Sequence, residues 1–179
     1  MSSALPPLTL ILGGARSGKS ARAEALVESS GLAPVYVATA QALDAEMAER
    51  IAAHRRRRGP AWRTLEEPLA LPELLAAEAK PAQAILVDCL TLWLTNLMVA
   101  GRPVEAASDA LLAGLRAAEG PVVLVSNEVG QGVVPLDAMS RAFVDHAGRL
   151  HQRLAAAASW VQLVAAGIPI DLKRPDGPA

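Results

Sequence analysis

The stretch Leu8-Thr9-Leu10-Ile11-Leu12-Gly13-Gly14-Ala15-Arg16-Ser17-Gly18-Lys19-Ser20 decides the fold of this 179-residue chain. Leu8 to Leu12 is a short, mainly apolar run that reads as a buried strand, and it stops at two glycines. From Lys19 to about Ser29 the apolar residues Ala23, Leu26 and Val27 fall at helical spacing. Between strand and helix, Gly13 to Ser20 satisfies G-x-x-x-x-G-K-[ST], the pattern of a phosphate-binding loop. Glycines let the backbone curl until successive N–H groups point at one anion, and the following helix adds its uncapped N–H groups and positive dipole end. Gly13, Gly14, Ala15, Arg16, Ser17 and Gly18 are therefore candidate phosphate contacts. Lys19 is placed to neutralise the β- and γ-phosphates, and Ser20 to hold Mg²⁺. A glycine turn that binds nothing is the alternative, and it leaves the strand and helix in the motif's positions as coincidence.

Outward from this point, apolar runs alternate with helical patterns, as in βαβ units on a mostly parallel sheet. Strands are expected at 35–39, 84–87, 122–125, 160–165 and 168–172, with a short extended piece at 62–65. Helices are expected at 44–57, 69–79, 91–100, 104–119 and 136–158. Ile85-Leu86-Val87 ends in Asp88, where a carboxylate can complete the Mg²⁺ shell; capping of the next helix is the competing role for Asp88. No repeat or linker divides the chain, so one nucleotide-binding catalytic domain spanning 1–179 is expected.

Composition narrows the function classes. Hydrophobic residues make up 52% and charged residues 20%, which excludes a disordered or fibrous chain. Seventeen basic against eighteen acidic residues leave a net charge of −1, without the basic excess that a broad nucleic-acid footprint needs. Cys89 is the one cysteine, so no intramolecular disulfide can form. It reads as a small buried side chain. The first seven residues carry no Lys or Arg, and the longest uncharged stretch, 154–170, is interrupted by Ser159, Gln162, Gly167 and Pro169. Neither a signal peptide nor a membrane span is expected, and the expected location is the cytoplasm.

A second segment carries chemistry. Met47 and Ile51 form an apolar stripe, while Glu46, Arg50 and His54 form a polar row beside it, followed by Arg55, Arg56, Arg57 and Arg58. Spacing alone favours a solvated helix end, where cations meet the negative dipole terminus. The other reading is a polyphosphate site in which His54 attacks an α-phosphate while arginines stabilise the departing charge. His146 and His151 read as surface or pairing residues, and no zinc-ligand spacing occurs.

Together these residues resemble a known family. The blocks are Gly13–Ser20, Tyr36-Val37-Ala38-Thr39-Ala40, the segment from Asp44 to His54, Trp62-Arg63-Thr64-Leu65-Glu66, Asp88-Cys89-Leu90-Thr91-Leu92-Trp93-Leu94-Thr95-Asn96-Leu97, Ser126-Asn127-Glu128-Val129-Gly130-Gln131-Gly132-Val133-Val134-Pro135, and then, in order, Arg141-Ala142-Phe143, Gly148-Arg149 and Ala166-Gly167-Ile168-Pro169. In this order they are similar to the bifunctional adenosylcobinamide kinase/adenosylcobinamide-phosphate guanylyltransferase of cobalamin biosynthesis. The resemblance implies a RecA-like P-loop fold, a trimer, and two reactions. A nucleoside triphosphate, ATP or GTP, phosphorylates the aminopropanol hydroxyl of adenosylcobinamide. GTP then donates GMP through an enzyme histidine to adenosylcobinamide phosphate. The resemblance places that histidine at His54. It adds Ala38, Thr39, Ala40, members of Arg55–Arg58, Glu66 and Asp88 as nucleotide contacts. A simple P-loop small-molecule kinase, with His54 merely structural, and a RecA-type nucleotide-gated ATPase module are the rival readings.

Overall fold

The computed structural model describes residues 5–40, 49, 56 and 58–175. Seven strands form one sheet: β1 (Leu8–Gly13), β2 (Ala33–Ala38), β3 (Arg63–Glu66), β4 (Gln83–Asp88), β5 (Val122–Asn127), β6 (Trp160–Ala165) and β7 (Ile168–Lys173). Among the described residues, five helices connect them: α1 (Lys19–Ser29), α2 (Leu71–Glu78), α3 (Leu90–Val99), α4 (Val104–Ala117) and α5 (Ala138–Ala157). The order across the sheet is β3-β2-β4-β5-β1-β6-β7. Every neighbouring pair is parallel except β6 and β7. This is the expected α/β architecture, a mostly parallel sheet flanked by helices.

The central strands are buried on both faces, which is why their sequences read as mainly apolar runs rich in Val, Ile and Leu. Side chains alternate between two cores. Leu8, Leu10 and Leu12 join Ile85, Val87, Leu124 and residues of α2 to α5 on one face. Ile11, Tyr36, Leu86, Val123 and Val125 join Ala23, Leu26 and Val27 of α1 on the other. Trp93 is the largest fully buried side chain, and its indole N–H donates to the Leu69 carbonyl at 2.9 Å.

Element boundaries differ from the pattern-based expectation where hydropathy stops being informative. β5 runs two residues beyond Val125 because Ser126 and Asn127, although polar, pair with Leu12 and Gly13. β2 begins at Ala33 rather than Val35. Its Pro34 pairs with β4, beyond the point where β3 begins to pair at Val35, so the missing N–H costs no ladder bond on that side. α5 begins at Ala138, where the Asp137 carboxylate accepts the Ser140 N–H at 2.8 Å. The helix expected at 44–57 lies outside the described residues except for Glu49 and Arg56, which are helical and joined by an exposed ion pair at 2.8 Å. Arg58 is also helical. His151, expected as a surface or pairing residue, is paired but buried on α5. No helix among the described residues is long and apolar enough to cross a membrane.

Truncating Trp93 to Ala removes a fully enclosed indole and orphans the Leu69 carbonyl. Urea titration is expected to show a loss of about 3–5 kcal/mol in unfolding free energy. A loss under about 1 kcal/mol would mean that this core can close around the void.

Candidate functional site

The site gathers at the carboxyl end of the parallel strands. β1 ends at Gly13 between β5 and β6, and the loop 14–18 leads directly into α1. The first glycine is needed for space. A Cβ on Gly13 would lie 2.5 Å from Ser17 Oγ and 2.6 Å from the Val164 carbonyl oxygen. Gly14 has open space in front of it. Gly18 has φ of 97°, a left-handed conformation that suits glycine, and it precedes α1 without a side-chain cap. The first turn of α1 also lacks an acidic residue. Its free N–H groups and positive dipole end are thus open to an anion.

Two neighbours hold the loop in shape. The Glu128 N–H donates to the Gly13 carbonyl at 3.0 Å, and the Gly167 N–H donates to the Ser17 carbonyl at 2.8 Å. Gly167 belongs to the two-residue turn between β6 and β7, where Ala166 and Gly167 have φ of 52° and 80°. Two successive positive φ values make this a type I′ hairpin turn. Sequence reading missed its role. The Ala-Gly pair between two apolar runs was the available signal for the turn, but nothing local marks its contact with the loop.

Lys19 is buried, and its Nζ donates to the Gly14 carbonyl at 3.0 Å, so the ammonium is folded back into the loop. Ser17 Oγ is buried and has no hydrogen-bond partner. A cradle with an unpartnered hydroxyl, a buried cation and uncapped N–H groups fits a polyphosphate. For Mg²⁺, Ser20 at the start of α1 and Asp88 at the end of β4 are the available oxygen donors. No group of three or more His, Cys, Asp or Glu able to hold a metal occurs among the described residues. Such a donor set suits Mg²⁺, which keeps water and phosphate oxygens in its shell.

Asp88 is paired in the sheet on both sides, opposite Ala38 of β2 and Val125 of β5. It does not cap α3; Cys89 occupies that position, and the Asp88–Cys89 peptide is cis. Thr39 grips the following residue. Its hydroxyl donates to the Cys89 carbonyl at 2.7 Å and accepts the Cys89 N–H at 3.0 Å. Asn96 donates to the Thr39 carbonyl at 2.8 Å and to the Pro68 carbonyl at 3.0 Å. Thr39 therefore spends its hydroxyl on the backbone beside Asp88, while Ala38 and Ala40 flank it at the strand end. Glu66 ends β3, beside Ala38 in the register. Cys89 is buried, as expected, and burial pushes its thiol above the ordinary range. Asn127, at the end of β5, donates to Thr91 Oγ1 at 2.8 Å.

Of the arginine run, Arg58 is buried. Its guanidinium stacks 3.4 Å over the Tyr36 ring and lies 3.7 Å from the Glu24 carboxylate of α1. Arg56 is exposed. Arg55, Arg57 and His54 lie outside the described residues. Burial, and next the Asp88 carboxylate, push the Tyr36 hydroxyl well above its ordinary range, so it stays protonated. Sequence reading missed this Tyr36–Arg58–Glu24 packing, because the three residues are far apart in the chain.

A cleft of about 720 Å³ opens in front of the loop. It is bounded by Gly14 to Ser17, by Glu128, Val129, Gln131 and Gly132, and by Leu163 to Ala166. Behind it, His151 Nε2 and Ser126 Oγ are 2.7 Å apart. Burial lowers the His151 pKa, and the Glu128 carboxylate opposes that shift.

The family described as cobinamide kinase / cobinamide phosphate guanyltransferase matches residues 9–172. The bifunctional adenosylcobalamin biosynthesis protein CobP of Pseudomonas aeruginosa is 55% identical over 166 residues, covering 92% of this chain and 96% of that protein. The bifunctional adenosylcobalamin biosynthesis protein CobU of Escherichia coli is 41% identical, covering 93% and 99%. Among solved structures, the flagellar accessory protein FlaH of Methanocaldococcus jannaschii superposes with a TM-score of 0.55 at 14% identity, covering 99% of this chain and 84% of that one. A solved ATPase domain gives 0.56 at 14% identity, covering 96% and 78%. These two likenesses are of fold.

The His151–Ser126 pair generates a pH prediction. A histidine whose native pKa is lowered binds its proton in the unfolded chain first. It therefore costs stability as pH falls from about 6.5 toward the lowered native value. Unfolding measured between pH 8 and pH 5 (roughly the span over which histidine titrates) should show wild-type stability falling more steeply than that of His151→Gln. Equal slopes would show that the imidazole is not sheltered from water.

Proposed function

Because the chain belongs to the cobinamide kinase / cobinamide phosphate guanyltransferase family, we propose that it is a bifunctional transferase of cobalamin biosynthesis. It phosphorylates the aminopropanol hydroxyl of adenosylcobinamide with ATP or GTP. It then transfers GMP from GTP to adenosylcobinamide phosphate, giving adenosylcobinamide-GDP and pyrophosphate. The observation that carries this reading is the phosphate cradle, with Asp88 at the end of β4 on the same edge of the sheet, in a chain 55% identical to a protein named as bifunctional. The rival readings, a simple kinase and an ATPase module, leave the blocks from residue 44 to residue 58 without a task.

In this account Gly13 to Ser20 hold the triphosphate, and Lys19 swings from the Gly14 carbonyl onto it. Ser20 and Asp88 hold Mg²⁺, which when bound offsets phosphate charge. For guanylylation, a ring nitrogen of His54 attacks the α-phosphorus. The P–N bond forms, the bond to the bridging oxygen breaks, and pyrophosphate leaves with the electron pair. Lys19, the loop N–H groups and members of Arg55 to Arg58 stabilise that charge. A phosphate oxygen of adenosylcobinamide phosphate then displaces His54. Ala38, Thr39, Ala40 and Glu66, at the ends of β2 and β3, border the nucleotide, with the Thr39 hydroxyl acting through Asp88 rather than on the ligand. One catalytic domain in the cytoplasm carries both steps, with no nucleic-acid partner.

We further propose a homotrimer. Ile168, Ile170 and Leu172 project from one face of edge strand β7 and are exposed, as are Val133, Val134, Leu136 and Met139 around the start of α5. An apolar edge strand of this kind is ordinarily covered.

Incubation with Mg²⁺ and GTP labelled at the α-phosphate, followed by denaturation, tests the reading. Wild-type protein should retain an acid-labile, base-stable label, and His54→Ala should retain none. Lys19→Ala, which removes charge rather than packing, should lose both guanylylation and phosphorylation by on the order of 10²-fold or more while staying folded. An unlabelled wild type would leave only the kinase or ATPase readings.

A further inference from the structure

We propose that Glu128 is the general base of the phosphorylation step, and that the cleft between the phosphate loop and residues 128–132 receives the acceptor alcohol. This inference rests on the kinase half of the reading above and assigns it a residue and a subsite.

Position argues first. β5 lies between β1, which feeds the phosphate loop, and β4, which ends in Asp88. The residue that leaves β5 is therefore delivered to the front of the loop. The Glu128 N–H is bonded to the carbonyl of Gly13, the last residue of β1, at 3.0 Å. The Glu128 backbone is thus fixed to the same strand end that fixes the phosphate cradle. A side chain meant to act beside the terminal phosphate needs that common anchor.

The lining of the cleft argues second. Gly14, Ala15, Arg16 and Ser17 form its phosphate wall, and Leu163, Val164, Ala165 and Ala166, around the end of β6, add a mainly apolar one. Glu128 is the one carboxylate among the lining residues. A short aliphatic arm ending in a hydroxyl matches this composition. Its carbons meet the β6 end, and its oxygen lies between the cradle and the carboxylate. The cleft, at about 720 Å³, has room for such an arm but not for a whole corrin ring, which would remain outside.

Orientation argues third. Glu128 Oε1 accepts the Gly130 N–H at 2.7 Å, which closes a tight turn and limits the rotamers of the carboxylate. Besides Gly130, the carboxylate acts electrostatically on His151; among the described residues neither an arginine nor a lysine forms an ion pair with Glu128. The balance of the step is simple. The acceptor oxygen bonds to the γ-phosphorus, and its proton passes to the Glu128 carboxylate. The bond from the γ-phosphorus to the β,γ-bridging oxygen breaks, and the nucleoside diphosphate leaves with the electron pair. Glu128 later returns the proton to water.

The test compares wild type, Glu128→Gln and Glu128→Asp for two activities of the same preparations. One is phosphorylation of adenosylcobinamide with γ-labelled nucleoside triphosphate, and the other is self-guanylylation with α-labelled GTP. Glutamine keeps the acceptor for Gly130 but cannot take the proton. The expected result is a fall in phosphorylation kcat of on the order of 10²-fold or more, little change in KM, and guanylylation retained within several-fold. Should Glu128→Gln fail to fold, Glu128→Asp decides, since its withdrawn carboxylate should lower kcat without moving KM. Phosphorylation at the wild-type rate in either folded variant overturns the assignment and leaves the bifunctional reading standing. Equal loss of both activities would make Glu128 a support of the shared cradle and not the base. A wild type that guanylylates itself but never phosphorylates adenosylcobinamide overturns the kinase reading, and this inference with it.

Discussion

The structure depends on how closely the first residues after β1 pack. Gly13 sits where a Cβ would overlap both Ser17 Oγ and the Val164 carbonyl oxygen. Because nothing fills that space, the loop can fold back over the strand end, and Gly18 can turn the chain into α1 in a left-handed conformation. The curl is then pinned by β5 through Glu128 and by the β6–β7 turn through Gly167. Three strands thus converge on one loop. The preorganisation that phosphate binding needs is a property of the sheet and not of the loop alone.

The same convergence explains the layout of the polar groups. The parallel strands end at the same edge of the sheet, and four of them deliver functional residues there. β1 delivers the cradle, β4 Asp88, β5 Asn127 and Glu128, and β2 Thr39. β4 and β5 run through apolar cores (84–87 and 122–125) to polar last residues, which leave the core on the ligand side. Secondary contacts then lock the set: Thr39 on the backbone of Cys89, Asn96 on Thr39, and Asn127 on Thr91. Removing any of these would loosen a functional group through its neighbour, without touching substrate.

Much of this was legible in the sequence, for identifiable reasons. The loop was readable because its chemistry requires glycine, lysine and serine at fixed offsets. The strands were readable because burial on both faces leaves continuous apolar runs. Asp88 stood out as the charged end of such a run. What could not be read arises from contacts between distant residues. The last two residues of β5 look like loop until pairing with β1 is known. His151 has the polar neighbours of a surface residue, yet the turn of α5 directs it onto Ser126. Arg58 looks like one more cation in a run, yet it stacks on Tyr36 and faces Glu24. The Ala166–Gly167 turn gives no local hint that it supports a loop some 150 residues earlier.

The central claim is that one cradle serves two chemistries, with attack at the γ-phosphorus in one and at the α-phosphorus in the other. Inorganic tripolyphosphate tests it most directly, since it can occupy the loop, Lys19 and the Mg²⁺ donors while offering no nucleoside. A shared cradle predicts competitive inhibition against the nucleotide in both phosphorylation and self-guanylylation, with the same inhibition constant. Two distinct constants, or inhibition of one reaction alone, would contradict a shared site.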